Sequence, residues 1–143
     1  MSLSERPRPE PDRDSAPWWE AVRRHELIVQ RCDGCAALRF PARSVCNRCR
    51  SRNWTWVPAS GTGRVYSWII THQVFLKGLA DEVPFLVLLV RLDDGDDLLM
   101  YGGLVGAGAD VLRPGLPVEA VFTDVPGEDG TTLVQWKPRD LVS

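Results

Sequence analysis

The chain has 143 residues, 44% hydrophobic and 25% charged, with a formal net charge of −2. That length holds one ordinary domain, or a small module beside a compact one, and the composition is that of a soluble globular protein. The longest apolar run, Phe85 to Val90, is far too short to span a bilayer, and the opening Met1-Ser2-Leu3-Ser4-Glu5-Arg6-Pro7 has no apolar signal core, so neither membrane anchoring nor secretion is expected. The expected compartment is a reducing cytoplasm, where paired cysteines hold metal more readily than they form disulfides.

The charge is unevenly spread. Residues 1–60 carry eleven Arg against seven Asp or Glu, a net of +4, whereas residues 61–143 carry six Lys or Arg against twelve Asp or Glu, a net of −6. Two modules with different surfaces are expected. Residues 1–14, rich in Pro, Arg, Asp and Glu and without apolar periodicity, read as a disordered tail. Residues 15–60 read as a helix followed by a cysteine-bearing ribbon. Ser15 suits an N-cap and Pro17 the first turn, and Trp18, Trp19 and Val22 fall near helical spacing, which predicts an amphipathic helix of about ten residues. So short a helix must pack on something. Trp18 and Trp19 either cap the protein's own core or, partly exposed, anchor a partner protein.

Short strands are expected at Leu27 to Arg31, Leu38 to Pro41 and Trp54 to Val57, and Pro58-Ala59-Ser60-Gly61 reads as the module boundary. Residues 61–143 are patterned for strands throughout. Gly63 to Val74 alternates, Pro84 to Leu92 is almost continuously apolar, Leu98 to Val105 returns after the Asp93-Asp94-Gly95-Asp96 turn, and two further strands cover the region of Val118 to Thr123 and Thr132 to Trp136. The paired Gly102-Gly103 suggests a bulge or bend. Five short strands with Gly at the corners fit a small barrel such as an OB-fold, so the fold class is mainly β: a short N-terminal helix, a four-cysteine ribbon and a C-terminal five-stranded OB-fold-like barrel.

All four cysteines lie in two pairs, Cys32-Asp33-Gly34-Cys35 and Cys46-Asn47-Arg48-Cys49, ten residues apart. Two residues between ligands let both sulfurs face one tetrahedron while backbone N–H groups of the turn point at them, and Gly34 suits the tight turn. Four thiolates leave no open position for water, so the expected cofactor is structural Zn2+ on Cys32, Cys35, Cys46 and Cys49. The alternative of a redox Cys-x-x-Cys lacks its βαβ context. Iron in the same tetrahedron would make a rubredoxin-like electron carrier.

Trp18-Trp19-Glu20-Ala21-Val22, Leu27 to Cys35, Phe40-Pro41-Ala42-Arg43 and Cys46-Asn47-Arg48-Cys49 together resemble the rubredoxin-like zinc ribbon of the DUF35 family. Gly61-Thr62-Gly63-Arg64-Val65-Tyr66-Ser67, Pro84-Phe85, Leu92-Asp93-Asp94-Gly95 and Pro114-Gly115-Leu116-Pro117-Val118 resemble its OB-fold. The resemblance covers residues 16 to about 138. Asn47 departs from it, standing where Pro is common, and leaves the cysteines intact. The resemblance implies a non-catalytic accessory subunit that binds acyl-CoA or docks on a thiolase-like (aldolase) or MaoC-like hydratase partner in acyl-CoA metabolism.

Nothing in the residues argues for catalysis in the chain itself. His25 falls at the helix end and His72 late in a strand, the carboxylates cluster in turns at 93–97 and 128–129, and every cysteine is assigned to metal. Nucleic acid is the rival ligand for a ribbon and an OB-fold, but the −6 of residues 61–143 and the aliphatic run at 86–90 do not suit a phosphate backbone. Of the ribbon's arginines at 39, 43, 48, 50 and 52, Arg43 is the first candidate for CoA phosphates or an acidic partner patch. Trp68, Phe75 and Phe85 are candidates for an apolar cleft around the acyl chain.

Overall fold

The computed structural model describes residues 14–71, 85–95, 97–126 and 130–139. Helix α1 spans Ala16–Arg23 and buries Trp18, Ala21 and Val22. Ser15 occupies the N-cap position, but its side chain does not cap the helix. The other end is a Schellman turn: His25 N–H donates to the Val22 carbonyl and Glu26 N–H to the Ala21 carbonyl, with His25 at a φ of 62° where glycine is usual. His25 offsets that conformation with its ring, which stacks on Phe122 and hydrogen-bonds through Nε2 to Asp124 Oδ1 at 2.9 Å.

The ribbon is a three-stranded antiparallel sheet of β1 (Ile28–Cys32), β2 (Leu38–Arg39) and β3 (Trp54–Pro58), in the order β2-β1-β3. The second sheet holds β4 (Thr62–Thr71), β5 (Phe85–Leu92), β6 (Leu99–Gly102), β7 (Pro117–Asp124) and β8 (Thr132–Pro138), in the order β6-β5-β4-β7-β8. It curls until its two ends meet. Just past β6, Leu104 forms a parallel bridge with Trp136 of β8, held by Val105 N–H to the Trp136 carbonyl and Trp136 N–H to the Gly103 carbonyl, both 2.8 Å. This pairing, antiparallel along the sheet with a parallel closure between its third and fifth strands, is the arrangement of a five-stranded OB-type barrel.

Gly102 carries the closure. A Cβ there would stand 2.7 Å from Cδ1 and Nε1 of the Trp136 indole, whereas one on Gly103 would meet the Gln135 amide at 3.4 Å and the Leu86 carbonyl at an ordinary 3.9 Å. The Gly-Gly pair is therefore a site of close approach rather than a bulge; the irregularity in the sheet lies between Val65 and Ser67 of β4.

One hydrophobic cluster runs through both sheets. Trp18 and Val22 of α1 and Leu27 and Val29 of the ribbon join Val65, Leu88, Val90, Met100, Val118 and Trp136 of the barrel. Each such side chain contributes roughly 1.5–3 kcal/mol on full burial. The junction is also fastened by polar groups. Asp94 accepts from the Ser60 backbone N–H at 3.0 Å and its hydroxyl at 2.7 Å, Asp93 accepts from the Thr62 hydroxyl at 2.8 Å, and Asp97 pairs with Arg48. Asp94 and Asp97 thus hold ribbon to barrel while Asp93 fastens the turn to the start of β4, and the opposite charges of the two halves meet in part within the molecule. Among the described residues no helix is long and apolar enough to cross a membrane.

Candidate metal centre and the ribbon–barrel cleft

The two cysteine pairs are built as near copies. In each, the residue after the second cysteine donates its N–H to the carbonyl of the first: Ala36 to Cys32 and Arg50 to Cys46, both 2.9 Å. Both Ala36 (φ 63°) and Arg50 (φ 65°) are left-handed. Within each turn a backbone N–H reaches back to the first sulfur, Gly34 to Cys32 Sγ at 3.3 Å and Arg48 to Cys46 Sγ at 3.4 Å. Gly34 also sits at a close approach, since a Cβ on it would stand 3.1 Å from both Cys49 Sγ and the Ser51 side chain. Its missing side chain lets the second knuckle close on the first.

The four sulfurs lie within 4.8 Å of one another, with Cys32–Cys49 at 3.5 Å and Cys35–Cys46 at 3.7 Å. A tetrahedral ion with metal–sulfur bonds of about 2.3 Å needs sulfurs about 3.8 Å apart, so the site fits a metal bound by four thiolates. Backbone donors prepare the anionic form. The Cys35 N–H is the largest influence holding the Cys32 thiol below its ordinary value, and the N–H groups of Cys49 and Arg48 bring Cys46 down to about 6. At Cys49 the Ser51 N–H acts in the same direction but is outweighed by the neighbouring sulfurs and burial, which push that thiol up to about 11 without metal. Four crowded sulfurs share protons until a cation replaces them.

The candidate partner and ligand residues separate. Trp18 is 8% exposed and sits in the core, edge-on to Trp19 at 4.7 Å and tilted on Phe40 at 5.4 Å, so the helix rests on the ribbon hairpin. Trp19 is half-buried at the edge of that cluster. Trp68 stands opposite Leu88 and packs against the core. Phe75 and His72, and the side chain of Phe85 at the start of β5, lie outside the described residues.

Arg43 is held in a way the sequence did not reveal. Gln30 of β1 and Arg39 of β2 are cross-strand partners, 0% and 6% exposed. Gln30 Oε1 accepts from Arg39 Nε at 2.7 Å and from the Arg43 backbone N–H at 2.9 Å, while Arg39 Nη2 donates to the Arg43 carbonyl at 3.0 Å. This buried network fixes the loop that follows the cis Phe40–Pro41 bond. Arg43 lines a cleft of about 360 Å³ between ribbon and barrel, with Arg39, Arg48, Arg91, Phe40 and Asp97 also in its wall.

A second surface escaped the sequence reading altogether. On the outer side of β4, β5 and β6, Ile69 faces Val87, and Leu89 lies between Ser67 and Tyr101. Ile69 is 62% and Tyr101 70% exposed, with Tyr66 and Ile70 also at the surface. The signal was available in Val87 and Leu89, outward positions of the Phe85 to Leu92 run that are as apolar as their inward neighbours.

Family models match in two consecutive parts: the ChsH2 rubredoxin-like zinc ribbon domain over residues 19–55 and the ChsH2 C-terminal OB-fold domain over residues 56–123. A probable enoyl-CoA hydratase alpha subunit of Thermomonospora curvata is 42% identical over 113 residues, 79% of this chain and 34% of that protein, so the chain spans about a third of that relative. A DUF35 domain-containing scaffold protein of Pyrococcus furiosus is 30% identical over 128 residues, 87% of this chain and 91% of that one. Among solved structures, a chain described as Ltp2-ChsH2(DUF35) aldolase superposes with a TM-score of 0.80 at 37% identity, covering 92% of this chain and 98% of that chain. With its four-cysteine ribbon, its OB-type barrel and these relatives in the same order along the chain, the protein belongs to the DUF35 family.

Proposed function

We propose that the protein is a non-catalytic accessory subunit that docks on an enzyme of acyl-CoA metabolism, a thiolase-like aldolase or a MaoC-like hydratase, and helps to hold the acyl-CoA there. The observation that carries this reading is the likeness, across 92% of this chain and 98% of the other, to a chain of an Ltp2-ChsH2(DUF35) aldolase. The name of the Thermomonospora relative, a hydratase alpha subunit, points to the same class of partner. The outer face of β4, β5 and β6 supports docking. Exposed Tyr66, Ile69 and Tyr101, with Val87 and Leu89 between them, give it the aromatic and aliphatic content of an interface core rather than of a free surface.

We take the metal to be zinc in a structural role, a reading supported by the match to a zinc ribbon domain, by four thiolates that would saturate a tetrahedral ion and by a three-stranded ribbon, with two-residue β2, that has little core of its own. The chain works in the cytoplasm, where its thiols stay reduced for metal. Co-expression with a thiolase-like aldolase or a MaoC-like hydratase subunit from the same organism tests the function. The expected result is a stable complex by size-exclusion chromatography with light scattering, with the reaction dependent on the partner's own residues. Ile69→Ser with Tyr101→Ser is expected to weaken that complex. A chain that stays alone with every such partner, or turns over acyl-CoA by itself, refutes the reading.

A further inference from the structure

The cleft between ribbon and barrel has an unusual balance of charge. Arg39, Arg43, Arg48 and Arg91 line it against a single described carboxylate, Asp97, which is already taken by Arg48. A four-thiolate zinc centre next to Cys46 offsets part of that charge and still leaves the cleft net positive. Arg39 is the more telling residue. It is 6% exposed and contacts no carboxylate among the described residues; it lies 5.5 Å from the Trp54 ring, and its Nη1 is buried without a hydrogen-bond partner. A buried guanidinium left this way is costly unless an anion comes near it.

The other arginines are set in place rather than free. The Arg43 backbone is clamped by Gln30 and Arg39, and Arg91 lies over the Tyr66 ring at 4.6 Å. The cations arrive from separate parts of the fold: Arg39 from β2, Arg43 from the loop after it, and Arg91 from β5. A planar carboxylate is satisfied by one guanidinium fork, whereas a tetrahedral phosphate presents terminal oxygens in several directions. We propose that this cleft is a phosphate-binding site, in which Arg43 and Arg91 contact the phosphate group and the buried Arg39 supplies charge behind them. The inference rests on the proposed acyl-CoA reading only for the owner of the phosphate; the site itself stands on the arginines.

Isothermal titration of the zinc-loaded protein tests it, with adenosine 3′,5′-bisphosphate, inorganic pyrophosphate and succinate as probes. The bisphosphate is expected to bind and succinate not to. Arg43→Gln and Arg91→Gln are each expected to weaken binding about tenfold, the scale of one lost charge-assisted hydrogen bond, while Arg52→Gln, away from the cleft, leaves it unchanged. Both substituted arginines are exposed, so zinc content and circular dichroism should match the parent. Binding of the bisphosphate but not pyrophosphate identifies a nucleotide of the CoA type, and binding of both identifies a general phosphate site. No phosphate probe bound, succinate bound equally well, or affinity indifferent to Arg43 and Arg91 overturns the proposal. Partner binding separates the two readings: an Arg91→Gln complex that stays intact while the bisphosphate is lost leaves the docking function standing, and a parent protein that binds the bisphosphate but no partner leaves the phosphate site standing alone.

Discussion

Substituting Gly102 by alanine probes the closure of the barrel. The new Cβ would stand 2.7 Å from two atoms of the Trp136 indole and 2.8 Å from the Val134 carbonyl. Neither neighbour can give way easily. Trp136 is fully buried, and Val134 lies within β8, paired with Phe122. Forcing one extra methyl into such packing costs typically about 1–3 kcal/mol. At roughly 3 °C per kcal/mol for a chain of this size, the melting temperature should fall by about 3–9 °C. Gly103→Ala is the matched control, since its nearest neighbour is the flexible Gln135 amide at 3.4 Å; it should shift the melting temperature by no more than about 1 °C, as small surface changes do. Thermal denaturation followed by circular dichroism on zinc-loaded protein reads both. Equal losses for the two variants, or none for Gly102→Ala, would refute the view that Trp136 seals the sheet against Gly102.

Cys49→Ser removes one of four ligands, so bound zinc should drop from about one per chain to well below half, with loss of ordered structure in β1 to β3; colorimetric zinc release and amide hydrogen exchange check this. Arg50→Gly relieves a left-handed φ of 65° in an exposed residue, and because that strain of roughly 1–2 kcal/mol outweighs the greater freedom of unfolded glycine, roughly 0.5–1 kcal/mol, a gain of about 0.5–1 kcal/mol is expected in urea denaturation. Asp124 is held below the usual carboxylate range, first by the hydrogen bond from His25 and then by the Thr132 hydroxyl. A carboxyl depressed in the folded state stabilises it above the unfolded value near 3.9, and that contribution fades as pH falls through the folded value. Asp124→Asn should therefore be less stable than the parent near neutral pH, with the gap narrowing below about pH 4; a carbon-13 titration of Asp124 should also move upward in His25→Gln.

The parts legible in the sequence are those in which one residue type can do one job. Four cysteines in two short turns define a tetrahedron wherever the rest of the chain goes, and alternating apolar residues mark strands before any partner is known. What stayed hidden depends on register and approach. Gln30 and Arg39 look like ordinary polar residues until β1 and β2 pair them and bury both. Asp93, Asp94 and Asp97 look like a solvated turn, and only the arrival of Ser60, Thr62 and Arg48 turns them into a clasp. Gly34 reads as a turn residue, and only the folded ribbon shows its close approach to the sulfur of a cysteine fifteen positions away. Trp18 and Trp19 are adjacent and chemically alike, yet one is core and the other edge, a split that helix rotation decides.

Helix α1 packs on β8, and its Arg23 guanidinium lies where a side chain on Gly130, just before β8, would have to go. The earliest helix and the latest strand are thus each other's support. During synthesis α1 can rest on the ribbon hairpin through Trp18 and Phe40, but its contact with β8 is missing until that strand has been made, so the helix stays only partly covered while the cysteine ribbon can already take up metal. A nascent chain should accordingly acquire its ion first and its final shape last, and chaperones that read exposed aromatics would have their longest opportunity at the N-terminal helix.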